Sequence, residues 1–180
     1  MKHLKIYEDH QTDEEIHRLC EKYDITNYTI NSDKTIDVNG DVSLRNENLK
    51  YIPLNFNYVS GDFYCDENSL KSLKNAPNEV GGNFNCSVNL LESLKGCPEK
   101  VGNHFSCAMN SLTSLKYSPK EIEGGFYCNL NYIKSLEGCP KEIGGDLYLR
   151  DNHLESLKHS PLKVSGNFNC DYNNLTSLIY

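Results

Sequence analysis

Val59-Ser-Gly-Asp-Phe-Tyr-Cys-Asp-Glu-Asn-Ser-Leu-Lys-Ser-Leu-Lys-Asn-Ala-Pro-Asn-Glu79 is followed without a break by Val80-Gly-Gly-Asn-Phe-Asn-Cys-Ser-Val-Asn-Leu-Leu-Glu-Ser-Leu-Lys-Gly-Cys-Pro-Glu-Lys100. Set one beneath the other, the two stretches agree at valine, glycine, phenylalanine, cysteine, asparagine, leucine, serine and proline. The agreement extends outward in both directions. Val59, Val80, Val101, Ile122, Ile143 and Val164 stand 21 residues apart, and one step back reaches Val38. No column gains or loses a residue, so seven units begin at positions 38, 59, 80, 101, 122, 143 and 164. A fixed period of this length marks a solenoid, in which one unit cannot bury its apolar face and neighbouring units must stack to do so.

The columns predict the coil. Val42, Phe63, Phe84, Phe105, Phe126, Leu147 and Phe168 fall two residues before Leu44, Cys65, Cys86, Cys107, Cys128, Leu149 and Cys170. A spacing of two places both on one face of a short strand. The columns Leu49 to Leu175 and Ile52 to Leu178 add two more apolar ridges. The asparagines Asn68, Asn89, Asn110, Asn131, Asn152 and Asn173 are read as an inward ladder, since an amide supplies both donors and an acceptor for backbone groups left over at a sharp turn. Gly40, Gly61, Gly82, Gly124, Gly145 and Gly166, with Asn103 in the same column, predict a turn with positive φ.

Phe-x-Cys-x-x-Asn-x-Leu resembles the leucine-rich-repeat signature Leu-x-Leu-x-x-Asn-x-Leu. The continuation Leu-x-Ser-Leu-x-x-x-Pro looks like the short repeats of secreted bacterial effectors of the YopM and IpaH kind, with one extra residue per coil. The resemblance covers residues 38–180 and departs from that family in Cys and Phe replacing Leu, and in lacking a ligase domain. The Gly-Gly-[Asp/Asn]-Phe-x-Cys-x-x-Asn style also looks like repeat proteins of tailed-phage genomes, which implies a phage or mobile-element origin and no particular activity. The fold expected is therefore α+β, mostly β. It is a leucine-rich-repeat solenoid of seven 21-residue coils (38–180), with a parallel sheet on its concave face and an N-terminal helix and hairpin cap (1–37). Within the cap, Thr12 and Glu15 form a capping box. Ile16, Leu19, Cys20 and Tyr23 make one apolar face of a helix over about 12–23, and 28–38 reads as a hairpin across Asn31–Lys34. Leu4 and Ile6 suggest a further strand in Met1–Glu8.

No catalytic, cofactor or metal constellation emerges. The six histidines have neither triad nor metal spacing, and phosphate-binding and nucleophile-elbow patterns are absent. The cysteine column is linear and interrupted by Leu44 and Leu149, which suits small buried hydrophobes better than a tetrahedral zinc site. A net charge of −7 disfavours direct nucleic-acid binding. The N-terminus turns acidic too early for a secretory signal and no apolar run is long enough to span a membrane, so a cytoplasmic protein is expected, in the host cytoplasm if phage-encoded.

What varies between units lies outward on the strand. Three columns follow from the two-residue period: Ser43 to Asn169, Arg45 to Asp171, and Asn46 to Tyr172. Val88, Met109 and Leu130 form an apolar run near Leu90, Tyr127, Tyr132 and Tyr148, with charges at both flanks. An apolar, aromatic centre inside a polar rim is how protein-binding patches are built. The expected partner-binding residues are Tyr64, Glu67, Val88, Leu90, Met109, Tyr127, Leu130, Tyr132, Tyr148, Arg150 and Tyr172. The competing account turns the third column inward at the corner to pack the core. Leu178, the last member of its column, is followed by Ile179 and Tyr180 with no polar cap, which suggests an end for self-association at these three residues. The function expected is a non-enzymatic protein-binding module, which the phage resemblance makes one that binds and inhibits a host or defence protein. An acidic nucleic-acid mimic and a self-assembling structural protein stand as alternatives.

Overall fold

The computed structural model describes residues 11–176. Met1–Glu8 and Leu178, Ile179 and Tyr180 fall outside the described residues, and with them the expected first strand and the expected self-association end.

Helix α1 runs Asp13–Lys22 and starts as its sequence dictates. The Thr12 hydroxyl accepts from the Glu15 amide, while the Glu15 carboxylate accepts from the Thr12 amide, closing the capping box. Its Ile16 and Cys20 are buried in the same apolar cluster as Val38 and Val42. The hairpin follows: β1 (Tyr28–Ile30) pairs antiparallel with β2 (Ile36–Val38).

From there the chain winds as a β-solenoid of stacked coils of about 21 residues, about six turns in all. Each coil carries two short strands rather than one. The first ladder holds β4 (Phe56–Val59), β6 (Glu79–Val80), β8 (Lys100–Val101) and β10 (Glu121–Ile122), running on from the hairpin as a six-stranded sheet. It resumes as the pair β12 (Glu142–Ile143) and β14 (Lys163–Val164). The second ladder is unbroken and seven-stranded: β3 (Val42–Ser43), β5 (Phe63–Tyr64), β7 (Phe84–Asn85), β9 (Phe105–Ser106), β11 (Phe126–Tyr127), β13 (Leu147–Tyr148) and β15 (Phe168–Asn169). Every pairing in it is parallel and joins residues one period apart, such as Phe84 with Phe105.

Where the sequence led to one ladder of strands, the coils form two. The valine column that opens each unit forms its own ladder, because in Glu79-Val80 and its equivalents an outward charged residue precedes an inward apolar one. Two residues are too few for alternation to stand out in a sequence.

Between the two ladders the chain turns a corner at the glycine column, and the expected reason for glycine there is wrong. Of that column only Gly40 has positive φ, and Asn103 does not. The cause is close approach. A Cβ on Gly61 would lie 2.8 Å from the Gly40 carbonyl carbon and 2.1 Å from Asp41 Oδ1. The room is used by a corner ladder in which an Asp after the glycine accepts from the backbone amide one coil on. Asp41 Oδ1 accepts from Asp62 N at 2.8 Å, Asp62 Oδ1 from Asn83 N at 2.6 Å, and Asp146 Oδ1 from Asn167 N at 2.7 Å. Where Asn103 replaces glycine, the corresponding Asn83–His104 bond is 3.2 Å.

The interior follows the columns. Phe63, Phe84, Phe105 and Phe126 are wholly buried, and the first three stack nearly parallel at 5.5 Å between ring centres. The asparagine ladder forms as well. Asn110 Nδ2 donates to Cys86 O at 3.0 Å, Cys107 O at 3.2 Å and Ala108 O at 3.3 Å, and its Oδ1 accepts from Leu91 N at 2.9 Å. Asn89, Asn131 and Asn152 repeat the pattern one coil at a time. A side chain that satisfies two coils at once joins them, and leaves few buried backbone groups unpaired at the turn.

Candidate functional site

The outward side of the second ladder carries the residues that differ from coil to coil. Tyr127 and Tyr148 stack at 5.5 Å with 20° between their planes, and His104 meets Tyr127 edge-on at 5.5 Å. Tyr64 stands apart from them, its hydroxyl donating to Asp62 Oδ2 at 2.7 Å. Burial pushes Asp62 up. The hydrogen bonds it accepts from the Asn83 backbone and from Tyr64 outweigh this and hold it below the usual carboxylate range.

One residue past the cysteine column the side chains are mixed. Asp66, a member of the column Arg45 to Asp171 that was expected to face outward, is only 3% exposed. Its Oδ2 lies 3.1 Å from Arg45 Nε, and its Oδ1 has no hydrogen-bond partner. Burial raises its pKa more than the Arg45 charge lowers it. Glu67 remains on the surface, where Arg45 pairs with it as well. Arg150 pairs with Asp151 at 3.1 Å and lies over the Tyr172 ring at 4.6 Å.

The next column decides the site. Asn46, Glu67, Val88, Met109, Leu130, Asp151 and Tyr172 all have φ between 54° and 56°. The left-handed region costs a residue with a side chain about 1–2 kcal/mol, least for Asn and Asp, and it is a true outlier for a β-branched residue such as valine. The conformation is imposed by the coil, since the amides continue the inter-coil ladder through the corner: Val88 N donates to Ala108 O at 2.9 Å, Met109 N to Asn129 O at 3.0 Å and Leu130 N to Arg150 O at 3.0 Å. Val88, Met109 and Leu130 are nonetheless 40%, 51% and 46% exposed. The column does not turn inward to pack the core.

Leu90 and Tyr132, on the same corner, are exposed beside them. The sequence missed two members of this surface. His153 lies 5.5 Å from the Tyr132 ring. With Asn174 it helps to line a shallow depression shared with Leu130, Tyr132, Asp151 and Tyr172. The signal was available: both stand one period after residues already singled out or next to them. Of the expected residues, then, Val88, Leu90, Met109, Leu130 and Tyr132 form one stripe, Tyr127 and Tyr148 one stack, and Arg150 and Tyr172 one pair. Tyr64 and Glu67 are held by Asp62 and Arg45.

The thiols pack. Cys65, Cys86, Cys107 and Cys128 are fully buried and joined in no disulfide, with the Cys107 and Cys128 sulfurs 3.3 Å apart. Burial drives the pKa of Cys65, Cys86 and Cys107 well above the ordinary thiol value, and that of Cys97 and Cys139 up to about 12. The reactive and metal-binding form is the thiolate, which burial disfavours here. Among the described residues no group of three or more His, Cys, Asp and Glu side chains is placed to hold a metal ion, and no helix is long and apolar enough to cross a membrane. Compared with family models, curated proteins and solved structures, the chain matches none.

Proposed function

We propose that this chain is a non-enzymatic protein-binding module. In this reading it is a leucine-rich-repeat stack of seven coils, residues 11–37 cap its first coil, and the seven-stranded ladder is the concave face. The partner meets the stripe of Val88, Leu90, Met109, Leu130 and Tyr132, flanked by the Tyr127–Tyr148 stack and by Arg150 and Tyr172. The observation that carries the reading is the occupancy of the left-handed corner. Three adjacent coils place exposed apolar side chains, one of them β-branched, where Asn or Asp would fit with less strain and better solvation. Strain of this kind is retained at functional surfaces. The phage resemblance points to a host protein, a defence protein among them, as the target. Mimicry of nucleic acid is less favoured, since the carboxylates Glu67 and Asp151 at this face are paired with Arg45 and Arg150 rather than presented as an acidic row.

Val88→Asn and Met109→Asn test the reading by separating stability from binding. Each is expected to raise stability against urea, by about 1 kcal/mol for Val88→Asn, and to lower recovery of the partner in affinity purification from the native host at least tenfold. If both variants bind the partner as the parent does, the surface lies elsewhere.

A second reading has its own observation. Phe168, on the last strand of the ladder, is 37% exposed, whereas Phe63, Phe84, Phe105 and Phe126 are wholly covered by their neighbours. A second copy stacked on that strand would cover it. Light scattering should then show mass rising with protein concentration; a constant monomer mass counts against self-association.

A further inference from the structure

The spacing of the exposed stripe specifies the shape of what lies on it. Inter-coil hydrogen bonds run through the corner at 2.9–3.0 Å, so Val88, Met109 and Leu130 recur at the distance between neighbouring strands, about 4.8 Å. Three coils therefore present three apolar side chains over about 9.6 Å, in a row perpendicular to the strands. The backbone of this row is already engaged, as Val88, Met109 and Leu130 all donate to the next coil, and the carbonyls of Val88 and Met109 accept from Asn68 at 3.2 Å and from Asn89 at 3.3 Å. A partner strand therefore finds no free ladder to extend, and side chains must do the recognition.

Three regular partners can be compared by period. An extended strand places same-face side chains about 6.7 Å apart, and drifts from the stripe by almost 4 Å over three coils. A polyproline helix repeats every ~9.3 Å and passes over Met109. An α-helix presents residues i, i+3 or i+4, and i+7 at steps of about 5.3 Å, so over three coils its mismatch is only ~1 Å. The second row, Leu90 and Tyr132 on either side of Ser111, widens the stripe to the breadth of a helical apolar face. Charge sets the ends. Before the stripe Arg45 faces both Asp66 and Glu67, and after it Arg150 faces Asp151, with Asp171 one coil on.

The geometry points to an amphipathic α-helix of the partner protein, lying along the stack axis. Three consecutive turns would be apolar on its buried face, with Lys or Arg one turn beyond at each end. This rests on the reading of the stripe as the binding surface. Reaching from the Glu67 coil to the Asp151 coil takes about 19 Å, or about 13 helical residues.

Two 14-residue peptides of identical Leu and Lys content serve as probes, one with leucine at helical period and one with strict alternation. Their binding to the full chain and to Met109→Asn is followed by fluorescence anisotropy, and their conformation by circular dichroism. The helical-period peptide is expected to bind at least tenfold tighter than the alternating one, to gain helix on binding, and to lose at least tenfold with Met109→Asn. If the alternating peptide binds as tightly, or the bound peptide gains no helix, while Met109→Asn still weakens both, the helix is wrong and the surface stands. If binding is indifferent to Met109→Asn, the surface reading fails with it. Absence of binding by either peptide also overturns the helix.

Discussion

Asn110→Ala is expected to destabilise the protein by about 4 kcal/mol, because it strips partners from two coils at once. The Asn110 amide bridges Leu91 N and Cys86 O of the preceding coil to Cys107 O of its own, at 2.9–3.2 Å. All of these groups belong to buried residues. Deleting the amide leaves Leu91 N–H with no partner, at ~1–3 kcal/mol, takes one of their hydrogen bonds from Cys86 C=O and Cys107 C=O, which keep those from Asn89 and Asn131, and opens a small void beside them. Asn173→Ala removes the same bonds from the last described coil, where the amide is half-exposed. Water can replace part of what is lost, and the cost should be clearly smaller. Urea denaturation followed by circular dichroism measures both. Because contacts in a solenoid run only between neighbours, Asn110→Ala should also divide the transition in two, with the coils on either side of the defect melting separately. A loss below 1 kcal/mol at Asn110 would sink the account of the ladder.

Gly82→Ala is the second large effect, expected at about 2 kcal/mol although alanine is the smallest possible addition. The new Cβ would lie 2.2 Å from Asp62 Oδ1 and 2.8 Å from the Gly61 carbonyl carbon. Asp62 must withdraw, and it then gives up the 2.6 Å bond from Asn83 N. The pH dependence carries an independent signature. Asp62 has a depressed pKa in the folded chain, so its contribution to stability is present above the unfolded carboxylate value and is lost as pH falls through the folded value. In Gly82→Ala that acid-side loss should shrink, because the bonds that depress Asp62 are weakened. The chain contains its own partial control: at Asn103, where the column already bears a side chain, the corresponding bond, at 3.2 Å, is longer than the backbone-amide bonds accepted by Asp41, Asp62 and Asp146 at this corner. An unchanged pH profile in Gly82→Ala would show that the corner ladder does not hold the coils.

These two residues also mark where the sequence could be read and where it could not. Asn110 and Phe105 recur because packing constrains them identically in every coil, and their column alone announces an inward ladder and an inward ring stack. Gly82 recurs just as strictly, but recurrence does not distinguish a glycine needed for φ from one needed for space, and the wrong cause was inferred. The ladder of the valine column was hidden because nearly all of its strands contribute only two residues. The corner was hidden for a different reason. A left-handed residue is recognisable when it is Asn46 or Asp151, but Val88, Met109 and Leu130 in the same column carry no such mark, and their strain appears only with the backbone angles. The stripe itself was legible as variation among columns that packing leaves free. The burial of Asp66 and the part played by His153 required the coils in three dimensions.

The uniformity of that corner has a consequence for how such a chain changes over generations. Seven positions one period apart hold one backbone angle to within 2° while accepting Asn, Glu, Val, Met, Leu, Asp and Tyr at the same place. The scaffold is written by the columns beneath, so the letters at the corner can be exchanged one at a time without renegotiating the architecture. A lineage facing a target that keeps altering its own surface would find here a set of independent slots, each open to revision by a single codon while the rest of the molecule stands still.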